Sequence, residues 1–362
     1  MHRVSNAPVS NAPGKDTSMT PLERFMAAVQ FEEADRVPCM PLICGASRRV
    51  YGCNYEEWST NADVGAGSLL QAQELLGFDA ILTEIDLNVE AADLGQETIF
   101  PPDDQAYSNF QNALIKRPED YVTKIKPVDP SKTKRMAEHI RMCDILMNER
   151  GKRVPVFGFV YGPLGVLSVL RGPEFLFSDC MKYPEEVHQA LSVITNVLGD
   201  YIRALARTGI HAIWVETLFG CHKQMSKKFW LDLEGVHLRR LAEITRECGL
   251  MLMAHSSGVD FYLDAHMETM APDAISCAWV PDGFSDWPEV KQKCAGKICI
   301  IGHVPPIDLL YLGRPDEVRE ECKKEIREMA QGGGFVLAPG WEFPYNASLL
   351  NAKAMMDSVA LY

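Results

Sequence analysis

Eight short apolar runs, each ending in polar residues and separated by helical patterns, recur along this 362-residue chain, and few folds accommodate that rhythm. The runs are "RVPCMPLICG" from Arg36, "AILTEIDLNV" from Ala80, "VPVFGFVYG" from Val154, "HAIWVETL" from His211, "LMLMAHSSG" from Leu250, "AISCAW" from Ala274, "ICIIGHV" from Ile298 and "FVLAPG" from Phe335. Parallel strands are covered on both faces, so they read as continuous rather than alternating hydrophobic segments. Helical periodicity is expected at 61–76, 132–150, 184–208, 227–247, 259–270, 287–294 and 315–331. Strands alternating with crossover helices point to α/β architecture, and eight of them predict a TIM (β/α)8 barrel rather than a doubly wound sheet. The polar, proline-containing stretch 94–130 is expected to be an insertion, a hairpin, after the second barrel strand.

One barrel domain is expected over 19–362, preceded by an N-terminal extension, the flexible tail 1–18. That tail lacks the apolar segment of a signal peptide. In "MTPLERFMAAVQF", Thr20 is the expected N-cap, with Pro21 at N1 and Glu23 at N3. The formal net charge of -13 disfavours a nucleic-acid partner, which needs a clustered basic face. Eleven cysteines without a CxxC pair read as reduced thiols of a cytoplasmic protein. No apolar run approaches the roughly 20 residues that cross a bilayer. Oligomeric state is left open, a homodimer among the options.

In a barrel of this type chemistry sits at the carboxyl ends of the strands. Those ends carry Glu84, Asp86, Asn88 and Glu90, then Tyr161, Glu216, His255, Cys277, His303 and, just beyond the last strand, Trp341. Glu216, His255, Cys277 and His303 are metal-ligand types at corresponding heights on consecutive strands. Each also has a plainer reading: a hydrogen-bonded histidine, a core thiol, or a carboxylate needing a buried partner. Cys221 and His222 are further ligand types in the loop after Glu216. Glu234 is expected in the following helix, away from the mouth.

Several stretches together resemble the uroporphyrinogen decarboxylase superfamily, and more its corrinoid-linked methyltransferase branch. They are "TPLERFMAAVQFEEADRVP", "LLGFDAI", "DLNVEAADLG", "YGPLGVL", "GIHAIWVETLFG", "CGLMLMAHSSG", "DAISCAW", "GHVPPIDLL" and "GGGFVLAPGWEFP". The resemblance implies a TIM barrel that passes a methyl group to or from the cobalt of a corrinoid carried by a separate partner protein, with zinc in the barrel mouth. Family members that methylate a thiol such as coenzyme M carry His-x-Cys at the corresponding strand end and a Cys shortly after "APG". Here those places read His255, Ser256, Ser257 and then Gly340, Trp341.

Oxygen and nitrogen ligands leave zinc a harder Lewis acid than thiolates do, which suits an oxygen leaving group. The expected activity is therefore transfer of a methyl group from an O-methyl donor, a methoxylated aromatic, to Co(I) of the corrinoid protein. Glu216 and His255 are the expected catalytic and metal-binding residues, with Cys277, or else His303, as the next ligand. Tyr161, Trp279, His303 and Trp341 are expected to bind the substrate, with Phe343 and Tyr345 as further aromatic surface. The alternative is transfer between a methylcobamide and coenzyme M or another acceptor. Uroporphyrinogen decarboxylation is disfavoured, because only Arg48 and Arg49 in the first strand segment could meet a substrate bearing many carboxylates. A barrel that only docks a corrinoid protein is a further, non-enzymatic alternative.

Overall fold

The computed structural model describes residues 18–360. The tail expected over 1–18 therefore lies outside the described residues, apart from Ser18. Nine strands follow in chain order: β1 (Ile81–Leu82), β2 (Thr98–Ile99), β3 (Tyr107–Ser108), β4 (Val156–Tyr161), β5 (Ala212–Glu216), β6 (Met251–Ser256), β7 (Ala274–Cys277), β8 (Cys299–Val304) and β9 (Phe335–Pro339). Seven of them, β1-β4-β5-β6-β7-β8-β9, form one parallel sheet with neighbours in chain order. β2 and β3 pair antiparallel and form the hairpin expected between the second and third barrel strands.

The remaining stave closes the sheet into a TIM barrel. Leu337 N–H donates to the Pro38 carbonyl at 2.9 Å and Met40 N–H to the Leu337 carbonyl at 2.8 Å, while Asp79 N–H donates to the Cys39 carbonyl at 2.9 Å. Residues 38–40 thus lie between β9 and the approach to β1. They amount to an isolated bridge, Cys39 with Leu337, rather than the ten-residue strand expected from Arg36. Pro38 and Pro41 explain the difference, because neither can donate to a ladder. β1 is also far shorter than "AILTEIDLNV" suggests. The Asp86 carboxylate accepts from Asn88 N–H at 2.8 Å and turns the chain into the helix Val89–Asp93.

Helices cover the barrel at Ala62–Leu76, Arg135–Arg150, Pro184–Ala206, Val236–Glu247, Leu263–Met270, Trp287–Cys294, Pro315–Met329 and Leu349–Val359. The first, Pro21–Val29, is closed by the expected capping box of Thr20 and Glu23. Two helices that the sequence pattern did not announce follow β4 directly, Pro163–Arg171 and Pro173–Lys182. The helical stretch 227–247 is interrupted by a π-helical segment, Leu231–Gly235, which carries Glu234. Among the described residues, no helix is long and apolar enough to cross a membrane.

Candidate functional site

Strand register builds the site. Glu216, the last residue of β5, is level with His255 on β6, and His255 is level with Ser276 on β7. Side chains at paired positions of parallel strands share a face, so these three point into the barrel together. The Ser276 hydroxyl lies 2.9 Å from His255 Nδ1, and His255 Nε2 lies 3.6 Å from Glu216 Oε2. Trp214, two residues before Glu216, stacks on the imidazole with ring centroids 5.8 Å apart. Burial, aided by His266, holds the His255 pKa down to about 3. The ring is therefore neutral near physiological pH, the form that can ligate a metal.

A cavity of about 390 Å³ opens over this group. Glu84, Glu216 and Glu342 line it with Gln105, His255, Ser257, Trp214, Trp279 and Trp341, and no lysine or arginine does. Burial raises the carboxyl pKa of Glu84 to about 8, with Asp86 adding to it. Burial, and then the charge of Glu84, push Glu216 and Glu342 well above the carboxylate range. Glu342 accepts from Gly45 N–H at 3.2 Å and from Gln105 Nε2 at 3.4 Å. The carboxyl groups of Glu216 and Glu84 accept no hydrogen bond among the described residues, although Glu84 is only 9% exposed.

A second pair of buried carboxyls supports the turn after β4. Glu90 accepts from Tyr161 N–H at 2.9 Å, while Glu234 accepts from Leu164 N–H at 3.1 Å and from Trp230 Nε1 at 2.7 Å. Desolvation raises both to about 7. Glu234 thus serves the amino end of the helix Pro163–Arg171, where an acidic group meets unsatisfied N–H donors.

Of the expected site residues, the structure brings together Glu216, His255, Trp279 and Trp341 around one cavity. Cys277 is placed elsewhere. It follows the inward-facing Ser276, so strand alternation turns it toward the helical layer, where it is fully buried near Cys294. His303 is also off the cavity: it stacks on Trp287 at a centroid distance of 3.7 Å, with Nδ1 3.3 Å from Glu325 Oε1. Tyr161 does not line the cavity either, because its ring packs on Gly165 in the first turn of the next helix. Among the described residues, no group of three or more His, Cys, Asp or Glu side chains is gathered closely enough to hold a metal ion. The expected trio of Glu216, His255 and Cys277 is therefore not assembled.

Glu342 is absent from the sequence-based candidates, although an acid between two aromatics in "GWEFP" directly after a barrel strand is a signal for it. Glu84 stood out only as one of four polar strand-end residues. Gln105 has no local signal, since it reaches the mouth from the loop that joins β2 to β3.

The family model described as uroporphyrinogen decarboxylase (URO-D) matches residues 20–362. The chain belongs to that family. Among the relatives of this URO-D protein, methylcobamide:CoM methyltransferase MtbA of Methanosarcina acetivorans is 21% identical over 349 residues, 96% of this chain and 99% of that one. Methylcobamide:CoM methyltransferase MtaA of Methanosarcina barkeri is 23% identical over 339 residues, 92% of this chain and 95% of that one. Uroporphyrinogen decarboxylase of Anaeromyxobacter dehalogenans is 23% identical over 356 residues, 93% and 97% of the two chains. A solved methyltransferase from Methanosarcina mazei superposes with a TM-score of 0.80 at 22% identity, covering 95% of this chain and 99% of that one. It shares the fold.

Proposed function

We propose that this URO-D protein is a corrinoid-dependent methyltransferase, exchanging a methyl group between a small molecule in the barrel mouth and the corrinoid of a separate partner protein. The observation that carries this reading is the cavity itself. It has three glutamates, a neutral histidine and no cationic side chain in its lining, which suits methyl transfer and opposes the binding of a polycarboxylate porphyrinogen. Full-length similarity to two methylcobamide:CoM methyltransferases supports it.

The direction of transfer divides two readings. Those relatives favour the acceptor side, with a thiol such as coenzyme M as methyl acceptor. The cavity chemistry favours an O-methyl donor, a methoxylated aromatic, because Ser257 and Trp341 line it and no cysteine does. Indole surfaces are also suited to stacking on an aromatic ring.

Glu216 and His255 are the residues that would hold a zinc ion, matching it in donor type while no third protein ligand is gathered beside them among the described residues. They offer an oxygen and a neutral nitrogen donor, and the buried Glu216 carboxyl has no hydrogen-bond donor to satisfy it. Zinc bound there supplies a Lewis acid toward the heteroatom that gains or loses the methyl group. The chain's own contribution is positional. Ser276 and Trp214 fix the imidazole plane, and the indoles of Trp214, Trp279 and Trp341 keep water from the reacting centre.

The test is a spectral assay with a corrinoid protein in its Co(I) or methylated form. Given a methoxylated aromatic, conversion of Co(I) to the methylated corrinoid with release of the phenol establishes the donor side. Rapid loss of the methylated form on adding coenzyme M establishes the acceptor side. Neither change, with zinc-loaded protein and several donors and acceptors, defeats the proposal. The His255→Ala variant is expected to lose zinc binding by about tenfold or more in a chelator competition, with near-normal folding.

A further inference from the structure

The cavity gathers carboxyl groups without a cationic side chain to match them. Glu84, Glu216 and Glu342 line it, and the nearby arginines are engaged elsewhere. Arg48 donates to the Tyr345 carbonyl at 2.9 Å and to Asn346 Oδ1 at 2.7 Å, and Arg135 is bidentate with Asp86 at 2.9 and 2.6 Å. Glu84, nine-tenths buried, faces the cavity, its carboxyl with no hydrogen-bond or ion-pair partner among the described residues. A buried carboxylate in that state is costly unless a cation or a proton meets it. Three tryptophans share the lining, and indole is the side chain with the strongest attraction for cations. Trp279 stands at the rim, 45% exposed, where an entering molecule meets it first.

We propose that the small molecule whose methyl group is exchanged here carries a positive charge, which it seats against Glu84 and Glu342 beside the indoles of Trp279 and Trp341. This rests on the methyltransferase reading and narrows its substrate class to organic cations, such as an alkylated ammonium compound or a methoxylated aromatic that also bears an ammonium group. Glu216 and His255 remain free for the ion assigned to them above. No lysine or arginine lines the cavity, so a sulfonate-bearing thiol such as coenzyme M finds no counter-charge there and is a poor occupant, whichever way the methyl group travels.

Binding can be tested without the corrinoid or any turnover, by calorimetry or tryptophan fluorescence on the full chain. The probes are choline, its uncharged carbon isostere dimethylbutanol, and coenzyme M. Choline is expected to bind at least tenfold more tightly than the isostere, and coenzyme M to show no saturable binding. Glu84→Gln and Glu342→Gln, both isosteric and checked by circular dichroism, are each expected to weaken choline binding about fivefold or more while leaving the isostere unchanged. Equal affinity for choline and the isostere overturns the proposal, as does choline binding indifferent to both substitutions. The titration is repeated on zinc-loaded and chelator-treated protein. Equal choline affinity in the two supports the assignment, and displacement of choline by zinc overturns it by making Glu84 and Glu342 metal ligands. Failure of the methyl-transfer assay with choline binding intact defeats only the methyltransferase reading, so the two failures are distinguishable.

Discussion

Individual side chains in this barrel are defined by what burial does to their protons. Glu90 is the clearest case outside the cavity: it is 1% exposed, with Oε1 on Tyr161 N–H and Oε2 without a partner. Its pKa rises from 4.5 unfolded to about 7 folded, so between those values the folded state holds a proton that the unfolded state has lost. The associated stability is complete below about pH 4.5 and is lost as pH rises through about 7. Glu90→Gln keeps an acceptor for Tyr161 N–H and no longer ionises. It is expected to leave stability near pH 5 almost unchanged and to raise it by about 1–3 kcal/mol at pH 8, read from urea unfolding at the two pH values. An equal effect at both would show that Glu90 does not titrate in this range.

Among elements, the loop leaving β9 matters most to the cavity, because it presents Trp341 and Glu342. Gly340 begins that loop and donates to the Val304 carbonyl at 3.0 Å. A Cβ at Gly340 would stand 2.6 Å from the Ala278 Cα and Cβ atoms, backbone and core that cannot swing aside. Gly340→Ala is therefore expected to cost about 1–3 kcal/mol in chemical denaturation and to disturb Trp341 fluorescence. A silent substitution would mean that the loop moves freely. The turn after β4 is built by the same tight approach: a Cβ at Gly162 would meet the Glu216 carbonyl at 2.6 Å.

For the whole molecule, the weak point of a barrel is its closure, and here an ionic cluster reinforces it. Asp79 is fully buried and accepts from Arg24 and Arg36, each at 2.7 Å, and from Cys39 N–H at 2.8 Å. It thereby ties the first helix and the proline-flanked stave 38–40 to the approach to β1. Asp79→Ala leaves two guanidinium groups short of their carboxylate and is expected to lower stability by about 3–5 kcal/mol, measured by thermal or urea unfolding. A loss below about 1 kcal/mol would show that the hydrophobic core alone holds the barrel shut. At this scale the sequence was most legible. Apolar runs with both faces covered announced the parallel strands, and Thr20, Pro21 and Glu23 announced the first helix. The first strand was overcalled, because an apolar run does not show that Pro38 and Pro41 leave it few ladder bonds.

What the sequence determined by itself was the class of the molecule: strand and helix periodicity dictate a βα barrel, and the carboxyl ends of the strands limit its chemistry to one short roster of residues. Which members of that roster meet was decided only in three dimensions. Glu216 and His255 converge because strand register sets them level on the same face. Cys277 turns away because it is one residue past an inward-facing Ser276, and a single-residue step reverses the side of a strand. His303 is held in the helical layer by Trp287 and Glu325, residues that precede and follow it by more than a dozen positions. Glu342, from the far end of the chain, joins Glu84 across the closed barrel and makes the cavity acidic. Local composition could report that each of these residues was polar. Only barrel closure, which brings together segments some 250 residues apart, determined which charges face one another.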